Sequence, residues 1–278
     1  MVKMHDSQKS QRQSDVSDDV GEDQDKAVGT VVGPDDQAGH EDLIRRLTTP
    51  GGWSVPVAQV ANQSNIRLDA EHYDPIVMKN DKELRSLGVS LVPLSDLADV
   101  QLPSMFTRIW AKDASHGVPY LNATDLMSYF ALGVPAQERY LSHASDVKME
   151  NLLVKTGMIL ITCSGTIGRV FDVPASLDGW AGTHDLVRVT PYNPEMKGFL
   201  RAYLASRFAQ VQILSHTHGG QIDHVTAEQV GSCLVPDFGE HEIRRISQIA
   251  DKADNMRSDG TALMNDAIAK LSTAPNYE

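Results

Sequence analysis

Cysteine is scarce: two residues, Cys163 and Cys233, in a chain of 278. That number excludes a disulfide framework and a four-cysteine zinc site, and it fits a reducing cytosol. No apolar run approaches the roughly 18 residues of a membrane span. The N-terminus lacks the charged-then-apolar plan of a signal peptide. The chain is therefore expected to be soluble and cytoplasmic, with no membrane partner.

Catalytic signatures are missing too. There is no G-x-x-x-x-G-K-[ST] phosphate loop, and no G-x-G-x-x-G follows a strand; "GTIG" at 165–168 has the wrong spacing for a dinucleotide. The Asn-Pro-Pro-aromatic tetrapeptide of amino-methyltransferases does not occur, and Tyr192-Asn193-Pro194 reads as a turn. Ser164 lacks a G-x-S-x-G elbow, and Cys163 has apolar rather than basic neighbours, so neither reads as a nucleophile. Two clusters raise metal chemistry. Asp69, Glu71, His72 and Asp74 in "DAEHYDP" are hard ligands, and Pro236-Asp237 is half of a nuclease motif whose lysine-bearing partner is missing. His216, His218 and His224 flank a Gly-Gly pair, a spacing that supports zinc poorly. No catalytic residue, metal or cofactor is expected.

What is present is unevenly distributed. The net charge is -12, which speaks against a broadly basic protein that coats nucleic acid. Residues 1–45 hold 11 Asp or Glu against 5 Lys or Arg, and residues 46–278 hold 26 against 20. Each part therefore carries -6, and the longer one is only mildly acidic. Up to about His40 the sequence is too poor in large apolar residues to offset ordering entropy, so residues 1–45 read as a disordered acidic tail.

Order is expected from "GGWSVPVAQV" onward, with a main domain over 46–238 and a C-terminal helix over 239–278. Asp74-Pro75 supplies an N-cap and a first-turn proline for a helix to about Leu87, stopped by Gly88. "VSLVPL" and "GVPYLNATDL" read as strand-like, Ser145 caps a short helix to Leu153, and "MILIT" and "RVFDV" flank a glycine loop as a hairpin. "HDLVRVT" is a strand of imperfect alternation. Phe199, Leu200, Tyr203, Leu204, Phe208, Val211 and Leu214 fall on one face of a single helix over 198–214. "TAEQ" is a capping-box start and "SCLVP" a buried strand. From Glu240 to Leu271, an apolar stripe that includes Ile243, Ile246, Ala253, Leu263 and Leu271 has near coiled-coil spacing and needs a partner surface.

The order of segments is familiar. "GVPYLNATDL", "VKTGMILITCSGTIGRV", "GTHDLVRVTP", "GFLRAYLASRFAQ", "HGGQIDHVTAEQV" and "LVPDFGEHEIRRISQIADKADNM" follow one another. Together they resemble the target-recognition domain and following helix of type I restriction-modification specificity subunits. "RLDAEHYDP" looks like the entry segment of one branch, and the resemblance covers about 53–271. It implies an α+β fold, a target-recognition domain with a twisted sheet system and DNA-facing loops, followed by a long spacer helix. It implies a non-catalytic subunit that reads double-stranded DNA for a separate methyltransferase and, where present, a restriction and translocation subunit. Full specificity subunits usually carry two such domains and two helices. One of each here points to a homodimer through the C-terminal helix.

Candidate DNA contacts follow. Ser164, Gly165, Thr166, Gly168 and Arg169 form a loop whose glycines allow close backbone approach. Against this, the glycines alone can meet a turn's φ/ψ demand, and Arg169 can pair with Asp172 or Asp178. Gly219, Gly220 and Gln221 offer close approach and an amide suited to adenine, or a solvated turn. Arg108, Lys112, Asn122 and Thr124 lie on or beside the loop before "DLM". Arg188, Arg201 and Arg207 are expected to brace the helix or touch partners. An autonomous metal-dependent nuclease and a regulatory truncated specificity module remain the competing readings.

Overall fold

The computed structural model describes residues 2–5, 52–61, 73–132, 138–216 and 224–272. The chain divides into two compact units, Met1–Lys82 and Glu83–Glu278. In the first, β1 (Val2–His5) pairs antiparallel with β2 (Gly52–Val55), which is followed by α1 (Val57–Ala61). Residues 6–51, which include most of the tail expected over 1–45, lie outside the described residues. The next helix, α2 (Pro75–Arg85), begins as its sequence demands: Asp74 Oδ1 accepts the Ile76 N–H at 2.8 Å. Beyond its end, Gly88 has a φ of 69°, where a side chain is disfavoured.

The second unit is α+β. In chain order it contains β3 (Ser90–Pro93), α3 (Leu94–Leu97), β4 (Ala98–Gln101), β5 (Trp110–Ala111), β6 (Gly117–Leu121), α4 (Ala123–Leu132), β7 (Tyr140–Ser142), β8 (Ile159–Thr162) and β9 (Val170–Asp172). Then come β10 (Ala181–Gly182), β11 (Leu186–Pro191), α5 (Lys197–Ala205), α6 (Arg207–Ser215), α7 (Ala227–Gly231), β12 (Leu234–Asp237) and α8 (Glu240–Ser272). One four-stranded sheet has the order β4-β11-β8-β9, antiparallel throughout. Another has the order β10-β6-β7-β5, with β10 parallel to β6, and β12 pairs with β3.

Both faces of the β8–β11 pair are covered, which explains the unbroken apolar run of "MILIT". Ile159, Ile161, Val187 and Val189 join Phe199, Leu200, Leu204 and Ile213 in one core. Leu160 and Leu186, one residue out of phase, join Leu121, Leu126, Val154 and Leu177 in a second. The period-two alternation of a strand thus feeds two apolar clusters. Arg188 is the exception on the second face. It is buried and donates to the carbonyls of Leu186, Leu152 and Gly182 at 2.8, 3.0 and 3.0 Å. Rather than bracing the helix or touching partners, as expected, it braces β10, β11 and the segment before β8, and its buried position accounts for the imperfect alternation of "HDLVRVT".

The single helix expected over 198–214 is two. Ser206 is extended (ψ 158°), Tyr203 O accepts its N–H, and Ser206 O accepts the Gln210 N–H to start α6. Gln210 Nε2 donates to Leu204 O at 2.7 Å, satisfying a carbonyl at the end of α5. The break turns the second half, so Leu214 is exposed while Ala209 and Ile213 are buried. Two further segments differ. "GVPYLNATDL" splits into β6 and the start of α4, and the helix expected from Ser145 is a 3-10 turn at Met149–Asn151. The capping box at Thr226 is present, with Thr226 and Gln229 exchanging both bonds.

The long helix α8 packs its first turns onto α5 with a face that is small and polar. Phe199 N–H donates to Ser247 Oγ at 3.0 Å, and a Cβ on Gly198 would lie 2.5 Å from Ser247 O, so the helices meet at glycine. Lys197 pairs with Asp251 (3.0 Å) and Arg201 with buried Asp254 (3.1 Å). The expected five-residue stripe therefore does not share one environment. Ile243 and Ile246 pack against the main core, whereas Leu263 and Leu271 are exposed, as is Ala253. Ile249 and Met256, exposed at 60% and 65%, continue the outward stripe with Leu263 at seven-residue spacing. Among the described residues no helix is long and apolar enough to cross a membrane.

Candidate functional site

The glycine loop joins β8 to β9 and is closed by one side chain. Thr162 is buried; its Oγ1 donates to Thr166 O (2.5 Å) and accepts the Arg169 N–H (3.0 Å), while its carbonyl accepts the Gly168 N–H (2.9 Å). Gly165 and Gly168 have φ values of 66° and 85°, so the turn itself requires glycine at both. Gly168 also meets Gln210: a Cβ there would lie 2.6 Å from the amide oxygen, and Gln210 Nε2 donates to Gly168 O at 2.8 Å. The N–H groups of Ile167, Gly168 and Arg169 are all spent inside the loop. Side chains at the tip, with Thr166 and Arg169 exposed, are what the loop presents outward. Neither Asp172 nor Asp178 is paired with Arg169: Asp172 lies near Arg257, and Asp178 accepts the Thr156 N–H.

Ser164 connects this loop to two other segments. Cys163 N–H donates to Asp185 O, continuing the β8–β11 ladder past the strand's end, and Ser164 Oγ donates to Asp185 Oδ1 at 2.9 Å. On another side Ser164 forms an antiparallel bridge with His224, and Val225 N–H donates to Cys163 O at 3.0 Å. His224 directly follows the "HGGQID" stretch. Gly219, Gly220 and Gln221 themselves lie outside the described residues, as do His218, Asp69, Glu71 and His72.

Asp185 is the centre of the cluster. Its Oδ2 accepts from Thr183 Oγ1 at 3.0 Å and lies 3.8 Å from Arg108 Nη2. Arg108 also donates to Thr183 Oγ1 (3.2 Å) and meets His184 Nδ1 at 3.3 Å, with its guanidinium 5.8 Å from the Phe106 ring and 6.0 Å from the Tyr120 ring. Because arginine only donates, His184 Nδ1 must accept, which places the ring proton on Nε2, 3.5 Å from Asp185 Oδ1. Burial lowers the His184 pKa from its ordinary value. The Asp185 carboxylate opposes this, while Arg108 and His224 add to it. A neutral ring at pH 7 agrees with the tautomer.

The other expected residues are not joined to this cluster among the described residues. Asn122 caps α4, its Oδ1 accepting the Asp125 N–H at 2.9 Å while Asp125 Oδ2 accepts the Asn122 N–H at 3.0 Å. Buried Asp125 in turn holds Arg139 at 2.8 Å. Thr124 is exposed on the first turn of α4, and Lys112 is exposed after β5. Thr183, His184 and Asp185 were missed as site residues. Their signal was a polar Thr-His-Asp run at the head of an apolar strand, within the quoted "GTHDLVRVTP". Asp74 serves as a helix cap, and among the described residues no three His, Cys, Asp or Glu are grouped to hold a metal. Cys163 is buried, and burial pushes its thiol up to about 12, the opposite of an activated nucleophile.

No family model and no curated protein matches this chain. Among solved structures it is similar to the type I restriction-modification system S subunit from M. genitalium, at 14% identity and a TM-score of 0.39, over 58% of this chain and 37% of that one. It is similar to the HsdS subunit from Thermoanaerobacter tengcongensis at 17% identity and a TM-score of 0.41, over 86% and 52%. A third similar chain comes from a study of complex assembly and conformational transition of the type I R-M system, at 15% identity and a TM-score of 0.41, over 84% and 54%. This chain thus spans between 37% and 54% of the length of these three structures.

Proposed function

We propose that this chain reads double-stranded DNA sequence as the non-catalytic specificity subunit of a type I-like restriction-modification system. It directs a separate methyltransferase subunit and, where one is present, a restriction and translocation subunit. The observation that carries the reading is the Ser164–His224 bridge. It joins the 164–169 loop to the residue that follows the candidate contacts at 219–221, which lie outside the described residues, and Arg108 is held beside the loop through Asp185. Loops held at the end of a rigid sheet, with arginine side chains among them, are suited to a groove of DNA.

The chain works in pairs. Residues 46–238 supply recognition, and residues 239–278 supply spacing and pairing. The 33-residue α8 is about 50 Å long at 1.5 Å per residue, enough to separate two recognition domains. Its outward stripe of Ile249, Met256, Leu263 and Leu271 is costly to leave in water, and two antiparallel copies hide it. A two-fold pair reads two equal half-sites, so the target is an interrupted palindrome.

Selection of duplexes from a random pool by the purified chain, alone and with the methyltransferase from the same locus, tests the reading. Enrichment of one motif with related halves and no cleavage supports it. Binding without any enriched sequence, or cleavage that needs only this chain and a metal ion, contradicts it.

A further inference from the structure

Arg108 and Arg169 are both cations of the candidate site, but their surroundings differ in kind. Arg169 is exposed, and among the described residues its side chain forms no ion pair or hydrogen bond. An exposed cation without a fixed partner suits a phosphate, which accepts charge from many directions. Arg108 is constrained on three sides. Nη2 is held by Thr183 Oγ1 and His184 Nδ1, Asp185 supplies a carboxylate at 3.8 Å, and the Phe106 and Tyr120 rings lie within about 6 Å of the guanidinium carbon. Its side chain is nevertheless 36% exposed, and Nη1 and Nε have no hydrogen-bond partner among the described residues. Such constraint costs side-chain entropy and gains nothing for non-directional attraction to a phosphate. It is what directional reading of a base edge needs, because the geometry is set before the DNA arrives.

The carboxylate supports the same division. An aspartate beside a phosphate-binding arginine would repel the DNA backbone, and a site built only for affinity would lack one. Asp185 instead links Arg108 to the glycine loop, since its other oxygen accepts from Ser164. The segment that carries Arg108 also exposes Met105 at 82% and Ile109 at 44%. Apolar groups find partners on base edges, such as a thymine methyl, and none on phosphates.

We propose that Arg108 is the specificity-determining residue of this site, donating from Nη1 to the O6 or N7 acceptor of a guanine in the major groove, and that Asp185 is its positioning residue. Arg169 anchors a phosphate. The assignment rests on the DNA-recognition reading above and refines it.

The test is duplex selection from a random pool, followed by titration of the enriched duplex over a range of salt, with the full chain as wild type, Arg108→Lys, Asp185→Asn and Arg169→Ala. Thermal melting of each variant accompanies it. The wild type is expected to enrich a motif with an invariant guanine. Arg108→Lys, which keeps the charge, loses discrimination at that one position by about 5- to 150-fold while the salt slope is unchanged. Asp185→Asn loosens the same position, and Arg169→Ala keeps the motif while its salt slope falls by about one. A motif that survives Arg108→Lys intact, or a guanine lost in Arg169→Ala instead, overturns the assignment and leaves DNA recognition standing. A folded wild type that enriches no motif overturns both. Should Arg108→Lys melt early, Asp185→Asn decides, because it leaves the arginine in place.

Discussion

Replacing Arg188 by methionine removes a buried cation that has no acidic partner among the described residues and holds three main-chain carbonyls. The acceptors are Leu186 O on its own strand and Leu152 O and Gly182 O, which tie the short strand β10 to the segment before β8. Leu152 O keeps a second donor, the Gly182 N–H at 2.9 Å, so two acceptors set the loss. At about 1–3 kcal/mol for each buried acceptor deprived of its donor, the gross cost is about 2–6 kcal/mol. Methionine offsets part of this, because it fills similar volume and relieves a guanidinium that burial pushes down to about 10. The net expectation is a loss of about 2–4 kcal/mol, or about 4–16 °C in melting temperature for a unit of this size. Urea unfolding and thermal melting by circular dichroism measure it. A methionine variant as stable as the wild type would refute the bracing role and leave the interior position of Arg188 without a reason.

Two further outcomes are expected. The His184 pKa is held below its ordinary value of about 6.5, so its contribution to stability is complete above that pH and is lost as pH falls from there through the folded value. The melting temperature should therefore drop between pH 7.5 and 5.5, and His184→Gln should flatten the dependence. The groups facing the ring are Arg108, Asp185 and His224, and an unchanged slope in His184→Gln would assign the effect elsewhere. Met256→Asp with Leu263→Asp should convert pairs into monomers in light scattering without lowering the melting temperature, since both side chains are exposed in one chain. A wild type that is monomeric at every concentration, alone and with a methyltransferase subunit from the same locus, would sink the pairing.

Signals confined to neighbouring residues were legible in the sequence. The hairpin β8–β9, the start of α2 at Asp74-Pro75 and the capping box at Thr226 each rest on residue types within a few positions, and each is present. The break at Ser206 was not, because no glycine or proline marks it; a tertiary partner, the Gln210 amide, makes it possible. The cap at Asn122 was legible but overlooked: an Asn with an Asp three residues on starts a helix, and the apolar run before it drew the strand reading too far. Beyond Ile243 and Ile246, the inner face of α8 could not be read from hydrophobicity, because there it is Ser247 on the Phe199 N–H, and Asp251 and Asp254 paired with Lys197 and Arg201. At the site, Ser164 and Arg108 carried recognisable donor chemistry. The residue that joins them, Asp185, lies 21 positions from one and 77 from the other and is visible only once β8 and β11 are paired.

In the proposed function this chain chooses the DNA sequence on which a separate methyltransferase acts. Methylome sequencing of cells that express the chain together with the methyltransferase from the same locus, against cells that express the methyltransferase alone, tests it most directly. A methylated interrupted palindrome is expected only when both are present. Methylation unchanged by the chain, or a motif whose two halves are unrelated, would contradict it.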